Sequence, residues 1–272
     1  MAATVRAIVI SGNGTNCENE VAHACRLAGA HTDIVHISAL LGGRVRLDDY
    51  HFLNLAGGFL DGDDLGSAKA GANRLRHARV AGRNGFLADD LRRFIAAGKL
   101  VMGVCNGFQL LVKMGLLPDL DGNGVQSCTL TFNDRGRFEN RWCQLQVNPH
   151  SPCVYTRGLE HLYLPVRHGE GKFVTDSAAT LARPETEELV VLRYADAQAT
   201  ATMDYQANPN GSMAAIAAIC DPSGRIFGLM PHPEAYLHRT HHPRWTREDL
   251  PEEGMGLQLY RNAVQFIASE LL

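Results

Sequence analysis

The sequence of 272 residues lacks several features that mark specialised classes of protein. It has no apolar run of membrane-spanning length, and its first apolar segment is too short and wrongly flanked for a signal peptide. Its 26 Lys and Arg residues against 29 Asp and Glu residues give a formal net charge of −3. Because there is no basic surplus, the composition predicts a protein that binds neither nucleic acid nor an anionic membrane.

The seven cysteines include no Cys-x-x-Cys pair and are scattered along the chain. Their number and spacing argue against a disulfide framework and a structural zinc site, and they predict a reducing, cytoplasmic location. His238, His241 and His242 are irregularly spaced in a polar segment, so we expect no metal site there. Six cysteines have no recognisable base nearby and are expected to be unremarkable thiols. These six are Cys17, Cys25, Cys128, Cys143, Cys153 and Cys220.

Short apolar strands alternate with helical patterns over the first part of the chain. Residues 5–11 form a β-branched run closed by a glycine-rich turn, and helical spacing follows over 17–28. The next predicted elements are strands at 32–37, 51–55 and 100–104 and helices at 89–97 and 106–114. Buried strands alternating with helices predict an α/β fold with an open, mostly parallel sheet flanked by helices.

Strand-like segments dominate after about residue 127, with predicted strands at 127–132, 142–147, 162–166, 189–194, 213–220 and 226–230. They predict an antiparallel edge of the same sheet together with hairpins beside it. A last helix over 256–271 has apolar residues at helical spacing and should pack on the sheet. We therefore expect residues 1–272 to form one domain, with irregular segments at 61–85, where we expect a loop with an irregular helix, and at 236–253.

The segment from residue 100 to 109 has the sequence of a nucleophile elbow. A buried strand ends at Cys105, Gly103 and Gly107 leave room for a sharp turn, and a helix begins at once. The thiol would then lie at a helix N-terminus, where amide groups and the helix dipole favour its reactive, ionised form. Taken alone, the pattern fits a buried cysteine beside a tight turn equally well.

Two other strands end in residues that could complete a cysteine site at the same edge of the sheet. His232 could act as the base, and Glu234, two residues later in an extended segment, could orient the imidazole. Amides near Gly58 and the amide of Asn106 could form an oxyanion hole. His232-Pro233-Glu234 by itself is more typical of a solvated, proline-rich turn, so the prediction depends on the motifs occurring together.

In order and separation, these motifs resemble the class I, or triad, glutamine amidotransferases, and the resemblance covers nearly the whole chain. Other motifs narrow it to the glutaminase component of phosphoribosylformylglycinamidine synthase. They are Gly14-Thr15-Asn16-Cys17-Glu18, Gly57-Gly58-Phe59 followed by Gly62-Asp63, His168-Gly169-Glu170-Gly171-Lys172-Phe173, and Asn208-Pro209-Asn210-Gly211-Ser212. Two positions depart from the family: Ala235, where arginine is common, and Ala56, where proline is common.

The resemblance implies a flavodoxin-like amidotransferase fold and a reaction in which Cys105 attacks the side-chain amide of glutamine. His232 would deliver a proton to the departing ammonia and then activate the water that hydrolyses the glutamyl thioester, with Glu234 as its orienting group. Phe59, Gln109 and His168 are expected to bind glutamine. From the residues alone, Gln109 could equally be a helix-surface glutamine.

The resemblance also implies a partner and no cofactor or metal in this chain. Ammonia would pass to a synthetase chain that uses ATP and Mg²⁺ to convert formylglycinamide ribonucleotide to its amidine in purine biosynthesis. A small accessory subunit is compatible with this assembly. Two alternatives stay open: another class I amidotransferase or cysteine hydrolase of the same fold, and a non-catalytic regulatory module.

Overall fold

A nine-stranded mixed sheet forms the centre of the computed structural model, which describes residues 4–272. Within that range the strands are β1 (Arg6–Ser11), β2 (His31–His36), β3 (Phe52–Leu55), β4 (Leu100–Val104), β5 (Cys128–Thr131), β6 (Glu139–Val147), β7 (His161–His168), β8 (Lys172–Thr175), β9 (Val190–Ala195), β10 (Ile216–Cys220) and β11 (Ile226–Leu229). The helices are α1 (Glu18–Leu27), α2 (Ile37–Leu41), α3 (Lys69–His77), α4 (Leu87–Ala96), α5 (Asn106–Lys113), α6 (Ala178–Thr186) and α7 (Leu257–Glu270). The first three residues of the predicted domain lie outside the described residues.

The strand order of the large sheet is β2-β1-β3-β4-β11-β10-β9-β6-β7. From β2 to β11 the strands are parallel, whereas every pairing from β11 to β7 is antiparallel. The central strands β3 and β4 are buried along their whole length, as expected for parallel strands covered on both faces. The predicted α/β fold, with an antiparallel edge on a parallel sheet, is confirmed.

Helices on the two faces bury apolar stripes against this sheet. α5 packs on β3, β4 and β11, and all of its residues from Asn106 to Val112 are buried. α7 buries Leu257, Tyr260, Ala263 and Ile267 and packs against α1 and β3. Each large apolar side chain removed from water contributes about 1.5–3 kcal/mol to stability. None of the helices in the described part of the chain is long and apolar enough to cross a membrane.

The structure differs from the sequence prediction in several elements, and α2 is among those that were not predicted. β5 forms as predicted but pairs with β8 in a separate two-stranded sheet, and β8 itself was not predicted. α6 was also missed, because it contains Pro184 and buries no other residue, so its sequence carries no apolar stripe. The segment 61–85 contains a helix, α3, as expected, while 236–253 contains the 3-10 turn Arg239–His241 and no longer helix.

Candidate active site

Cys105 lies at the turn between β4 and α5 with φ 52° and ψ −104°, outside the regions that non-glycine residues normally adopt. Its amide donates to the Leu229 carbonyl at 2.8 Å, which ties the turn to β11. A Cβ atom on Gly107 would lie 1.9 Å from the Leu55 oxygen, and one on Gly103 would lie 2.5 Å from the Gly107 carbonyl. The predicted elbow geometry is present, and close packing explains both of its glycines.

His232 and Glu234 follow β11 and are almost completely buried, with side chains 3% and 1% exposed. The His232 amide donates to the Pro165 carbonyl at 2.8 Å, and its Nδ1 lies 2.6 Å from Oε1 of Glu234. The extended segment expected here is wrong, because Pro233–Ala235 form a 3-10 turn. That single turn, which begins at a proline, brings the carboxylate back onto the imidazole.

The charge state of His232 reflects opposing effects. Burial is the largest single effect and lowers the pKa of His232, but the Glu234 carboxylate together with the nearby Cys105 and Cys17 thiols outweighs it. The net result is a His232 pKa well above its ordinary value. A buried imidazole that stays protonated beside a cysteine can serve as a proton donor in acyl transfer.

Of the two groups predicted for the oxyanion hole, Asn106 directly follows the nucleophile and Gly58 lines the same cavity. Gly58 lines the same cavity as Cys105 and has φ 133°, and a Cβ atom there would lie 2.5 Å from the Gly14 oxygen. The side chain of Asn106 accepts a hydrogen bond from the Leu60 amide at 3.1 Å. Among residues 4–272, neither the Gly58 nor the Asn106 backbone amide donates a hydrogen bond. Both amides are therefore free to bind a ligand oxygen.

A cavity of about 510 Å³ opens over Cys105 and His232. It is within the usual size range for small-molecule sites. Phe59, Gln109 and His168, the residues predicted to bind glutamine, all line it. Acidic side chains from Glu20, Asp63 and Glu170 also line the wall, together with Arg167. The cavity thus combines a nucleophile with charged groups of both signs, as recognition of an amino acid would require.

Gln109 has both polar ends occupied within the protein. Its Oε1 accepts from Asn106 Nδ2 at 3.1 Å, and its Nε2 donates to the Glu170 carbonyl at 2.6 Å. Glu170 in turn accepts from the Ser67 amide with both carboxylate oxygens, at 3.2 Å each. In this structure Gln109 therefore holds the loop after β7 against the elbow helix.

His168 is 3% exposed and lies between two asparagines. Asn133 Oδ1 also accepts from the Gly171 amide, so it faces His168 Nδ1 as an acceptor at 3.1 Å, and Nδ1 carries the proton. Asn210 Nδ2 lies 3.5 Å from Nε2 and donates to the Gly171 carbonyl at 2.9 Å. Burial lowers the pKa of His168 to about 3, so this imidazole is neutral. The His-Gly-Glu-Gly and Asn-Pro-Asn-Gly-Ser motifs thus form one buried network.

The sequence argument missed Cys17, which was expected to have no base nearby. Cys17 lines the cavity, and its sulfur, a His232 ring nitrogen and a Glu234 carboxylate oxygen all lie within 4.8 Å of one another. A signal was available, because β1 neighbours β3 in the sheet and residues after it reach the same edge. Arg167 was also missed: its carbonyl lies 3.7 Å from Cys105 Sγ, and no sequence pattern indicated this contact.

Three arginines of the segment 61–85 are engaged by neighbouring parts of the chain. Arg74 pairs with Asp61 at 2.7 Å, Arg83 pairs with Asp90, and Arg76 donates to the Lys113 carbonyl at 3.2 Å. These arginines are tied to neighbouring elements of the chain. Of the two departures, Ala235 lines the cavity and Ala56 is buried.

Comparisons with known proteins agree with this geometry. Residues 4–267 match the model of the CobB/CobQ-like glutamine amidotransferase domain. The PurQ subunit of phosphoribosylformylglycinamidine synthase from Dehalococcoides mccartyi is 44% identical, covering 96% of this chain and 97% of the relative. The same subunit from Methanococcus maripaludis is 40% identical over 96% of this chain and 98% of the relative.

Solved structures show the same likeness. A chain in the structure of PurLQS from Thermotoga maritima superposes with a TM-score of 0.69 at 27% identity, covering 97% of this chain and 100% of that chain. A glutamine amidotransferase from the same organism, 12% identical with a TM-score of 0.52 over 98% of this chain and 99% of its own, shares the fold. The chain therefore belongs to the CobB/CobQ-like glutamine amidotransferase family, and within it to the PurQ subunits of phosphoribosylformylglycinamidine synthase.

Proposed function

We propose that the protein is the glutaminase subunit of phosphoribosylformylglycinamidine synthase and that Cys105, His232 and Glu234 form its catalytic triad. The observation that carries the proposal is the buried His232–Glu234 pair, with 2.6 Å between Nδ1 and Oε1, beside a cysteine at a strained elbow. This arrangement meets the requirement of cysteine catalysis for a nucleophile, a base and a group that orients the base.

The reaction begins with attack of Cys105 Sγ on the side-chain amide carbon of glutamine. The carbonyl oxygen gains negative charge and is stabilised by the amides of Gly58 and Asn106, a contribution of about 3–4 kcal/mol where such donors have been removed from other enzymes. Protonated His232 donates to the amide nitrogen, the C–N bond breaks and ammonia leaves. Water, losing a proton to His232, then cleaves the thioester and releases glutamate.

Binding of glutamine is assigned to the cavity wall that contains Phe59, Gln109 and His168. Gln109 and His168 act through the backbone they hold, because their polar atoms are engaged by Asn106, Glu170, Asn133 and Asn210. Phe59 is 45% exposed at the mouth and offers an apolar surface to the methylene groups of the substrate.

Ammonia is delivered to a synthetase subunit, which converts formylglycinamide ribonucleotide to formylglycinamidine ribonucleotide in purine biosynthesis. The resemblance to a chain of PurLQS supports this partner and an accessory subunit. Thioester formation and hydrolysis need no redox or metal chemistry, so ATP and Mg²⁺ are assigned to the synthetase and no cofactor to this chain. The whole chain is proposed to form one amidotransferase domain, working in the cytoplasm.

Glutamate release from glutamine, measured with the synthetase present, tests the proposal. Cys105→Ala should abolish release, whereas Cys143→Ala, which changes a buried thiol in β6, should keep most of it. A glutamine analogue with an electrophile at the amide position should label Cys105 among the seven cysteines. Equal release by the wild type and Cys105→Ala, or labelling spread over several cysteines, would contradict the proposal.

A further inference from the structure

The loop between β1 and α1, residues 12–17, takes no part in the reaction described above, yet it pairs with the segment that follows β3. The Phe59 amide donates to the Gly14 carbonyl at 2.7 Å, and the Asn16 amide donates to the Gly57 carbonyl at 3.2 Å. These two bonds run in opposite directions between the segments, as they do between antiparallel strands. The loop therefore fixes the backbone of the segment after β3 from one side.

This pairing determines which way the Gly58 amide points. Thr15 lies opposite Gly58 in the antiparallel pair, and the two hydrogen bonds join the residues on either side of them. Such a position is a non-hydrogen-bonded one, in which the N–H and C=O groups of both residues point away from the partner segment. The Gly58 N–H is therefore turned away from the loop.

Sheet order shows what lies on the other side. β3 is between β1 and β4, so the β1–α1 loop and Cys105, which follows β4, lie on opposite sides of the segment after β3. An N–H group that faces away from the loop consequently faces the nucleophile. An oxyanion-hole donor requires this direction, because negative charge develops on the carbonyl oxygen that the Cys105 sulfur attacks.

Two further features hold the pairing in place. The Cys17 amide, at the N-terminus of α1, donates a second hydrogen bond to the Gly57 carbonyl at 3.4 Å. Because a peptide group is planar and trans, a carbonyl held on one side directs the N–H of the next residue to the other side. Gly14 has φ 92°, and a Cβ atom there would lie 2.1 Å from the Phe59 oxygen, so the two backbones are in contact.

We infer that the β1–α1 loop is the positioning element of the oxyanion hole, with Gly14 and the Asn16 amide as its positioning groups. In this role the loop acts through Gly58, whose N–H it aims at the oxygen of the tetrahedral intermediate. Since that contact forms only as the sulfur attacks, its loss should lower kcat and leave KM for glutamine nearly unchanged. This role rests on the proposed function, and it accounts for the motif Gly14-Thr15-Asn16-Cys17-Glu18.

Gly14→Ala gives the first test, with Gly29→Ala as its matched control. Both glycines have positive φ, 92° and 101°, so both variants carry backbone strain, but a Cβ atom on Gly29 meets nothing within 4 Å. With the synthetase present, kcat for glutamate release should fall at least about tenfold in Gly14→Ala, while KM stays within about twofold. Gly29→Ala should keep the kcat of wild type.

Alkylation of Cys105 by iodoacetamide, measured by mass spectrometry of the Cys105 peptide, separates the oxyanion hole from the nucleophile. Displacement of iodide by the thiolate forms no oxyanion, so the alkylation rate of Gly14→Ala should stay within about twofold of wild type. Parallel loss of alkylation and glutamate release would show that the loop acts through the fold or the thiol. That result, or an unchanged kcat, overturns the inference.

A backbone variant keeps the inference testable if Gly14→Ala does not fold. The α-hydroxy analogue of asparagine at position 16 replaces only the N–H with oxygen and removes its bond to the Gly57 carbonyl. We expect kcat to fall about fivefold at unchanged KM. The same analogue at Asn13, whose amide donates no hydrogen bond among residues 4–272, should behave like wild type.

Equal kcat for these two ester variants would overturn the inference alone. Absence of glutamate release from the wild-type complex would instead refute the proposed function, and the role of the loop with it.

Discussion

The space around the Cys105 turn is filled so closely that Gly103 and Gly107, two residues to either side, cannot carry a side chain. We predict that Gly107→Ala destabilises the protein by about 2 kcal/mol or more and removes glutaminase activity, because the new Cβ would lie 1.9 Å from the Leu55 oxygen. Gly85→Ala, outside the cavity lining, is the control, since the nearest atom to its Cβ, Oδ2 of Asp89, is 3.8 Å away. Urea unfolding and glutamate release measure both effects, and similar losses in the two variants would contradict the packing argument.

His168 gives a prediction about pH. Burial lowers its pKa to about 3, whereas in the unfolded chain it titrates near 6.5. Between these values the unfolded state binds a proton that the folded state does not, so stability falls as pH decreases from about 6.5 towards 3. We expect the His168 ring to show no NMR titration between about pH 5 and 8.

Replacing His168 isolates its share of the acid sensitivity. His168→Gln should flatten the pH dependence of the unfolding free energy below about pH 6.5, although it lowers stability at neutral pH by loss of the asparagine contacts. His150→Gln, on an exposed turn, should leave the dependence unchanged. A wild-type ring that titrates near its ordinary pKa would refute the assignment.

At the scale of elements, the loop after β7 is held by residues that precede β10. Asn210 is fully buried, donates to the Gly171 carbonyl at 2.9 Å and accepts from Ser212 Oγ at 2.7 Å. Asn210→Ala leaves these partners unpaired, so we predict a loss of about 1–3 kcal/mol of stability. Because Glu170 lies on the displaced loop and lines the cavity, KM for glutamine should rise more than kcat falls.

Urea unfolding and steady-state kinetics of Asn210→Ala check this coupling. The exposed Asn84→Ala is the matched control and should behave like wild type in both measurements. A variant that loses stability while KM stays unchanged would show that the buried network does not position the cavity wall.

The hydrophobic periodicity of the sequence predicted most elements of the large sheet and its helices. It failed for elements whose formation depends on pairing with a distant strand. β1, β3 and β4 are buried, nearly continuous apolar runs, and such runs can be recognised as strands from the sequence. β8 is short and owes its structure to pairing with β5, which no local pattern reveals. The 3-10 turn at Pro233–Ala235 was likewise hidden, because His-Pro-Glu is compatible with an extended segment or a turn.

At the scale of the whole molecule, sheet order explains why distant sequence motifs meet. β3, β4 and β11 are adjacent and parallel, so Gly58, Cys105 and His232, which follow them, share one edge. Ligand sites of α/β sheets lie beyond the carboxyl ends of the strands, and this rule predicted from sequence that the three residues meet. It could not show that Cys17 approaches His232, or that Gln109 binds backbone, because side-chain contacts depend on loop conformation.

Exposed phenylalanines at the cavity mouth lead to a prediction for the assembled enzyme. Phe132 and Phe138 line the cavity yet are 68% and 54% exposed, which is typical of surfaces covered by a partner. If the synthetase seals this mouth, Phe132→Ser and Phe138→Ser should release more than one glutamate per amidine formed, because ammonia escapes to water. Val125→Ser, 63% exposed and outside the cavity lining, should keep the ratio near that of wild type.

Glutamate and amidine measured in the same reaction give this ratio. An unchanged ratio in both phenylalanine variants, with the complex intact, would place the seal elsewhere on the protein.

The glycine-packed turn around Cys105 also limits how this enzyme can diversify. Any library that randomises positions 103 or 107 would consist mainly of unfolded variants, since even one added methyl group meets backbone. The mouth residues Phe59, Phe132 and Phe138 are exposed, so the fold tolerates their replacement even where substrate binding or the partner contact changes. Evolution towards another nitrogen donor or another acceptor enzyme would therefore proceed by changing the rim while the reacting centre stays the same.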